Sequence, residues 1–265
     1  MANTHPGNLG DVLKHLLLCE ALESQPFRYI DSHAGAYSYD LADAPDPGTG
    51  GVWDFATMAA ADPVLADSAY SRHAVPRAGS RQSPGTYLGS VALADELLES
   101  STTMVVGETN PATITALEQA FAASARNVLI LGHPLEGQDV AAQMAGGPDL
   151  VLIDPFDVHE QSLMGRSSVD AFCEAAKKGA ATYLWYPLTA PDEEASWVRD
   201  TLAPAGIQPF QLEIRYPQKA AGLWGCGLVA AQIPPKAYLR SVDLWASLTR
   251  GLLATGVEYN FVTSG

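Results

Sequence analysis

The amino-acid sequence predicts an α/β fold: a mostly parallel sheet with helices on both faces. Three observations lead there. Short apolar runs, several ending in an acid or a glycine, alternate with stretches of helical spacing along most of the chain. With 265 residues, 47% hydrophobic and 17% charged, the chain can bury the two-sided core that such a sheet needs. Towards the C-terminus the alternation stops, and two consecutive strand-like runs imply an antiparallel pair.

From Asp11 to Glu23, apolar residues fall at 12, 13, 16, 17 and 18, one face of a helix, with Asn8 or Gly10 as its cap. Arg28 to Asp31 (R-Y-I-D) reads as a short strand, followed by S-H-A-G-A-Y-S-Y, a turn of small residues. Residues 40 to 80 are rich in Ala, Asp, Pro and Gly and lack periodicity. They predict an irregular insertion, a lid, with one or two short helices. S-P-G-T at 83–86 opens a helix running to about Glu99. Thr103 to Glu108 is a strand, Pro111 to Ala123 a helix, Asn127 to Leu131 a strand and Gln138 to Met144 a short helix. Leu150 to Asp154 is the most apolar strand and so the central one. A helix over Ser167 to Lys178, a strand over Ala181 to Tyr186 and a helix over Glu193 to Leu202 follow. Gln208 to Arg215 and Gly225 to Ala231 form the antiparallel pair. A helix over Leu239 to Leu253 and a short strand over Val257 to Val262 close a chain that reads as one domain without internal repeats.

Thirty acids against fifteen bases give a net charge of −15, and the only adjacent basic pair is Lys177-Lys178. A nucleic-acid binder ordinarily neutralises several phosphates, so this balance disfavours RNA and suits a small cationic or amine-bearing partner. Acidity also serves solubility alone. Cys19, Cys173 and Cys226 are odd in number and far apart, which implies neither a disulfide framework nor a zinc site. No apolar run reaches the ~18 residues of a membrane helix. The opening M-A-N-T-H-P-G lacks the regions of a secretory signal, so a cytoplasmic location is expected.

In parallel sheets, ligands bind outside the carboxyl ends of the strands. That rule selects Asp31, Glu108, Gly132, Asp154 and Tyr186, of which three are acids. One strand-end carboxylate is ordinarily a turn or helix cap. Three along one edge point to a ligand with hydroxyls or cationic groups.

Several motifs occur in one order: H-P-G-N-L-G-D-V-L-K-H (His5 to His15), Y-I-D-S-H-A-G-A (Tyr29 to Ala36), S-P-G-T, G-E-T-N-P (Gly107 to Pro111), L-I-D-P-F (Leu152 to Phe156), Y-L-W-Y-P (Tyr183 to Pro187) and G-C-G-L-V-A-A-Q-I-P-P (Gly225 to Pro235). Together they resemble the RlmJ family, S-adenosylmethionine-dependent methyltransferases acting on N6 of an adenine in 23S ribosomal RNA. The resemblance covers nearly the whole chain, and its first two motifs are the most specific. It implies a Rossmann-like class I methyltransferase fold with a small insertion after the first strand, and S-adenosyl-L-methionine as cofactor. It also implies contacts to that cofactor: Lys14 and His15 near its methionine end, Asp31, His33 and Gly35 in the loop beneath, Thr86 at a helix start, Glu108 on the ribose, and Gly132 and His133 by the adenine. A carboxylate at position 108 suits the ribose, since it accepts two neighbouring hydroxyl bonds. Without the resemblance, Asp11 and Lys14 read as a surface ion pair, and His15 and His33 as core histidines.

The D-P-F-D stretch at 154–157 carries the sharpest signal. In amino methyltransferases this edge often reads D/N-P-P-Y/F/W. The acid and the first proline's carbonyl take the N–H bonds of the target amine, and the ring stacks on a planar substrate. Asp154, Pro155 and Phe156 are therefore the catalytic candidates, with Asp157 and Tyr186 as substrate contacts. A structural reading also stands, in which Asp154 caps, Pro155 bends and Phe156 packs in the core. An anion at 157, where the family has a ring, suits an ammonium or guanidinium better than adenine. The expected methyl acceptor is thus a small amine- or guanidine-bearing molecule, such as free arginine or an intermediate of specialised metabolism. Adenine N6 of 23S ribosomal RNA is the alternative, and a non-catalytic cofactor-binding protein the third.

Overall fold

The structure is a computed structural model that describes residues 5–132, 136–190, 193–220 and 222–264. It opens with α1 (Leu9–Leu22), whose cap Asn8 accepts from the Asp11 N–H. After β1 (Arg28–Asp31) come β2 (Ser38–Asp40), α2 (Val52–Ala61), α3 (Pro63–Ala66), α4 (Ala69–His73), α5 (Val75–Ala78), β3 (Gly79–Ser80), β4 (Ser83–Pro84) and β5 (Thr86–Leu88). The chain continues through α6 (Ser90–Leu97), β6 (Thr103–Gly107), α7 (Pro111–Phe121), β7 (Val128–Leu131), α8 (Gly137–Met144), β8 (Leu150–Ile153) and α9 (Ser168–Lys177). It ends with β9 (Ala181–Leu188), α10 (Glu193–Leu202), β10 (Phe210–Ala220), β11 (Leu223–Ala231), α11 (Pro235–Ala254) and β12 (Asn260–Ser264).

One eight-stranded sheet has the order β12-β10-β11-β9-β8-β1-β6-β7. The five strands from β9 to β7 are parallel, and Ile30 of β1 stands opposite both Val105 of β6 and Val151 of β8. The last three are antiparallel, because β10 and β11 form a hairpin and β12 returns beside β10. After β1 the chain lays β6 and β7 on one side and then returns to lay β8 and β9 on the other. Ligands bind at such a switch of direction, and here it sets the ends of β1 and β8 side by side. β8 is wholly buried, as its uninterrupted apolar run requires. One core cluster joins α1, α6, α11 and the 40–80 segment to the sheet, and a second joins α8, α9 and α10 to its other face. This is the Rossmann-like α/β fold expected.

Several boundaries differ from expectation. Residues 83–86 do not open a helix: β5 pairs with β2, and the helix begins at Ser90. The backbone there is clamped to the end of α5, where a Cβ on Gly85 would lie 2.1 Å from the Arg77 carbonyl oxygen. Segment 40–80 carries α2 to α5, more helices than expected, because α3 to α5 have four or five residues each and are too short to display a period. Val52, Phe55, Leu65 and Tyr70 of this segment belong to the same core as α1. β9 runs past Tyr186 to Leu188, since β11 pairs along its whole length.

Candidate active site

Helical spacing sets Asp11 and Lys14 one turn apart on α1. All of α1 is buried, so this pair is not on the surface. The Lys14 ammonium donates to Asp11 Oδ1 at 2.9 Å and to Asp154 Oδ2, just beyond β8, at 2.6 Å. Asp11 Oδ2 accepts from the Gly7 N–H at 2.9 Å. The Trp185 ring lies 5.7 Å from Lys14 Nζ, within cation–π range. Burial by itself would lower the Lys14 pKa, but Asp11 and Asp154 outweigh it and push it above its ordinary value. The ammonium therefore stays protonated. Burial raises the Asp154 pKa, and Lys14 only partly opposes this.

At the end of β1, Asp31 Oδ2 accepts from the Tyr29 hydroxyl at 2.8 Å and Oδ1 from the His33 N–H at 3.3 Å. Burial pushes its pKa up to about 6. His33 contacts the Ser32 hydroxyl through Nδ1 at 2.6 Å, and burial lowers its pKa to about 4, so the ring is neutral. Gly35 has φ +64°, a conformation that favours glycine, and a Cβ there would lie 2.8 Å from the Tyr39 hydroxyl. Its N–H donates to Glu108 Oε2 at 3.1 Å. Glu108 Oε1 accepts from the Thr109 and Asn110 N–H groups at 2.7 and 2.8 Å, which fixes this carboxylate at the end of β6. Gly137 opens α8 so close to the β1 loop that a Cβ would lie 2.1 Å from the Ser32 carbonyl oxygen. The result is a cradle: a loop of small residues walled by a strand-end carboxylate and a helix start.

Beyond β8, Asp154 directs its carboxylate at Lys14 and Phe156 is 68% exposed. The structural reading of D-P-F-D fails at Phe156, which is not core. Asp157, expected as a substrate contact, accepts from the His159 N–H at 2.9 Å and closes a local turn. Among the described residues, no group of His, Cys, Asp and Glu could hold a metal ion.

The model of the family described as Ribosomal RNA large subunit methyltransferase D, RlmJ, matches residues 24–257. The chain belongs to the RlmJ family. Ribosomal RNA large subunit methyltransferase J of Escherichia coli (strain K12) is 26% identical to it over 218 residues, 79% of this chain and 77% of that protein. A crystal structure of a Legionella pneumophila str. Philadelphia 1 protein shares the fold, with a TM-score of 0.78 and 20% identity over 98% of this chain and 99% of that one. Membership makes this RlmJ-family chain an S-adenosylmethionine-dependent methyltransferase. The cradle fits that cofactor: the left-handed Gly35 keeps side-chain atoms out of the loop, and Glu108 stands at the neighbouring strand end.

Not every residue expected at the site of this RlmJ-family protein lies there. Lys14, Asp31 and Asp154 come together, as do Gly35 and Glu108, and a Cβ on Gly132 would lie 3.3 Å from the Glu108 carbonyl oxygen. His15 does not join Lys14. Neighbouring helix residues point about 100° apart, and its Nδ1 is 2.8 Å from the Tyr87 hydroxyl, with the two rings stacked. Burial lowers its pKa to about 3. Thr86 lies exposed on β5 opposite Asp40, not at a helix start. Tyr186 is not at the edge: it is fully buried, its hydroxyl donates to Glu213 at 2.9 Å, and its ring covers Gly227. His133 lies outside the described residues. Sequence reasoning missed the roles of Asp11, Trp185 and Tyr39, whose hydroxyl accepts from the Ala36 N–H at 3.1 Å. The Asp11–Lys14 spacing was a readable signal, but its third partner is 140 residues away.

Proposed function

We propose that this RlmJ-family methyltransferase methylates the exocyclic amine of an adenine in large-subunit ribosomal RNA, with Asp154 holding the amine. One observation carries the reading: a half-buried, lysine-paired carboxylate at the switch-point strand end stands two residues from an exposed aromatic ring. The name of the E. coli relative supports RNA as the acceptor.

The Asp31–Gly35 loop and Glu108 would hold the cofactor, which supplies an electrophilic sulfonium methyl. Lys14 occupies Asp154 Oδ2, so the second carboxylate oxygen accepts one N–H of the target amine. The Pro155 carbonyl accepts the other. The Phe156 ring stacks on the base, a contact worth about 1–3 kcal/mol. These bonds orient the nitrogen lone pair, so positioning and exclusion of water supply most of the acceleration. The methylated nitrogen then releases its proton to Asp154, whose raised pKa suits a proton acceptor.

A second reading, a small amine or guanidine acceptor, is favoured by charge. The net charge is −15, and each arginine pairs with a carboxylate of the chain itself. Incubation with tritiated cofactor and either deproteinised 23S ribosomal RNA or arginine-like amines separates the two. Label in RNA that disappears with Asp154→Asn supports the first, and label confined to the amines overturns it.

A further inference from the structure

We propose that Asp11 is a positioning residue for the transfer: it anchors the Lys14 ammonium so that one oxygen of Asp154 is held and the other stays open to the acceptor nitrogen. This rests on the reading that Asp154 meets that nitrogen, though not on which molecule bears it. A lysine ammonium is a compact charge on a flexible stem, and with Asp154 as its only partner it could move between both carboxylate oxygens. Asp11 removes that freedom. It lies on the same helix, takes the ammonium on Oδ1, and is itself held through Oδ2 by the Gly7 N–H. A continuous line of bonds thus runs from the backbone before α1 to the end of β8.

Electrostatics point the same way. The Asp11 carboxylate adds a negative charge beside Lys14 and Asp154. A fixed anion beside a nitrogen that becomes cationic as the methyl arrives stabilises the charge where it develops. Other titratable groups around the cluster are Tyr29 and Asp31 of β1, Tyr39 of β2, Tyr70 of α4, Tyr87 of β5, Tyr216 of β10 and Cys226 of β11, with His15 adjacent on α1.

The test is Asp11→Asn, with Asp11→Glu as the conservative variant. With whichever acceptor the wild type methylates, Asp11→Asn is expected to lower kcat at least tenfold while the Kd for S-adenosylhomocysteine, measured by calorimetry, stays within threefold. The acidic limb of its kcat–pH profile should move to lower pH, because the Asp11 charge raises the pKa of Asp154. Asp11→Glu should recover part of the kcat. An unchanged kcat and profile overturns the proposal, and so does a loss of cofactor binding in step with activity. A second readout needs no acceptor: the 13Cε signal of labelled Lys14 should begin to titrate at alkaline pH in Asp11→Asn but not in the wild type. If that signal responds while the wild type methylates nothing, the functional reading has failed and the anchoring stands. If it does not respond, the anchoring has failed.

Discussion

Asp31 has lost the ordinary behaviour of a carboxyl because burial disfavours its charge, raising its pKa from 3.8 to about 6. The folded chain binds this proton more tightly than the unfolded chain. The associated stability is therefore full below about pH 4 and lost as pH rises through about 6. Asp31→Asn should flatten the fall in Tm over that window, as followed by circular dichroism, and an unchanged slope would assign the effect to another group. Glu108 should matter for affinity. Glu108→Gln removes charge-assisted bonds worth about 1.5 kcal/mol, so the Kd for S-adenosylhomocysteine should rise about tenfold by calorimetry. Asp154→Asn should leave that Kd unchanged and lower kcat by about 10²-fold or more, the usual size of a general-base contribution.

At the scale of elements, the cradle depends on how closely α8 approaches the loop after β1. A methyl at Gly137 would meet the Ser32 backbone, which cannot move aside like the end of a flexible side chain. Gly137→Ala should destabilise by about 1–3 kcal/mol through overpacking and weaken cofactor binding. Gly146→Ala, just after α8, is the control: its Cβ would meet nothing within 4 Å and should leave Tm nearly unchanged. Thermal unfolding of the two variants separates close approach from a general glycine effect. The strands of the eight-stranded sheet and the longer helices were legible because each contains enough residues to show its own period. The four- and five-residue helices α3 to α5 were not, because their helicity comes from caps such as Asp62 and Ser68 and from packing on α1.

For the whole molecule, the question is how so acidic a protein would hold RNA. With its arginines paired internally, the exposed bases outside such pairs among the described residues are Lys177, Lys178, Lys219 and Lys236. Log K for RNA should then fall with log salt at a slope no steeper than about −3, near −0.7 for each single-strand phosphate contact. Filter binding of a 23S fragment between 50 and 200 mM salt checks this, on the order of the range where strong phosphate binders lose affinity. A slope near about −5 would mean that arginines leave their internal partners to bind RNA. Among the described residues, no helix is long and apolar enough to cross a membrane.

The sequence by itself determined the alternation of strand and helix, and with it the sheet, its antiparallel end and the row of strand-end residues. Those follow from periods of two and 3.6 residues, which are local. Its motif order also pointed to the family and the cofactor. Only the tertiary structure decided that one buried ammonium joins Asp11 to Asp154, that His15 and Tyr186 face other partners, and that Phe156 meets solvent. Spacing says which residues share a face of one element. Which carboxylate that face reaches depends on packing between elements, here across 140 residues.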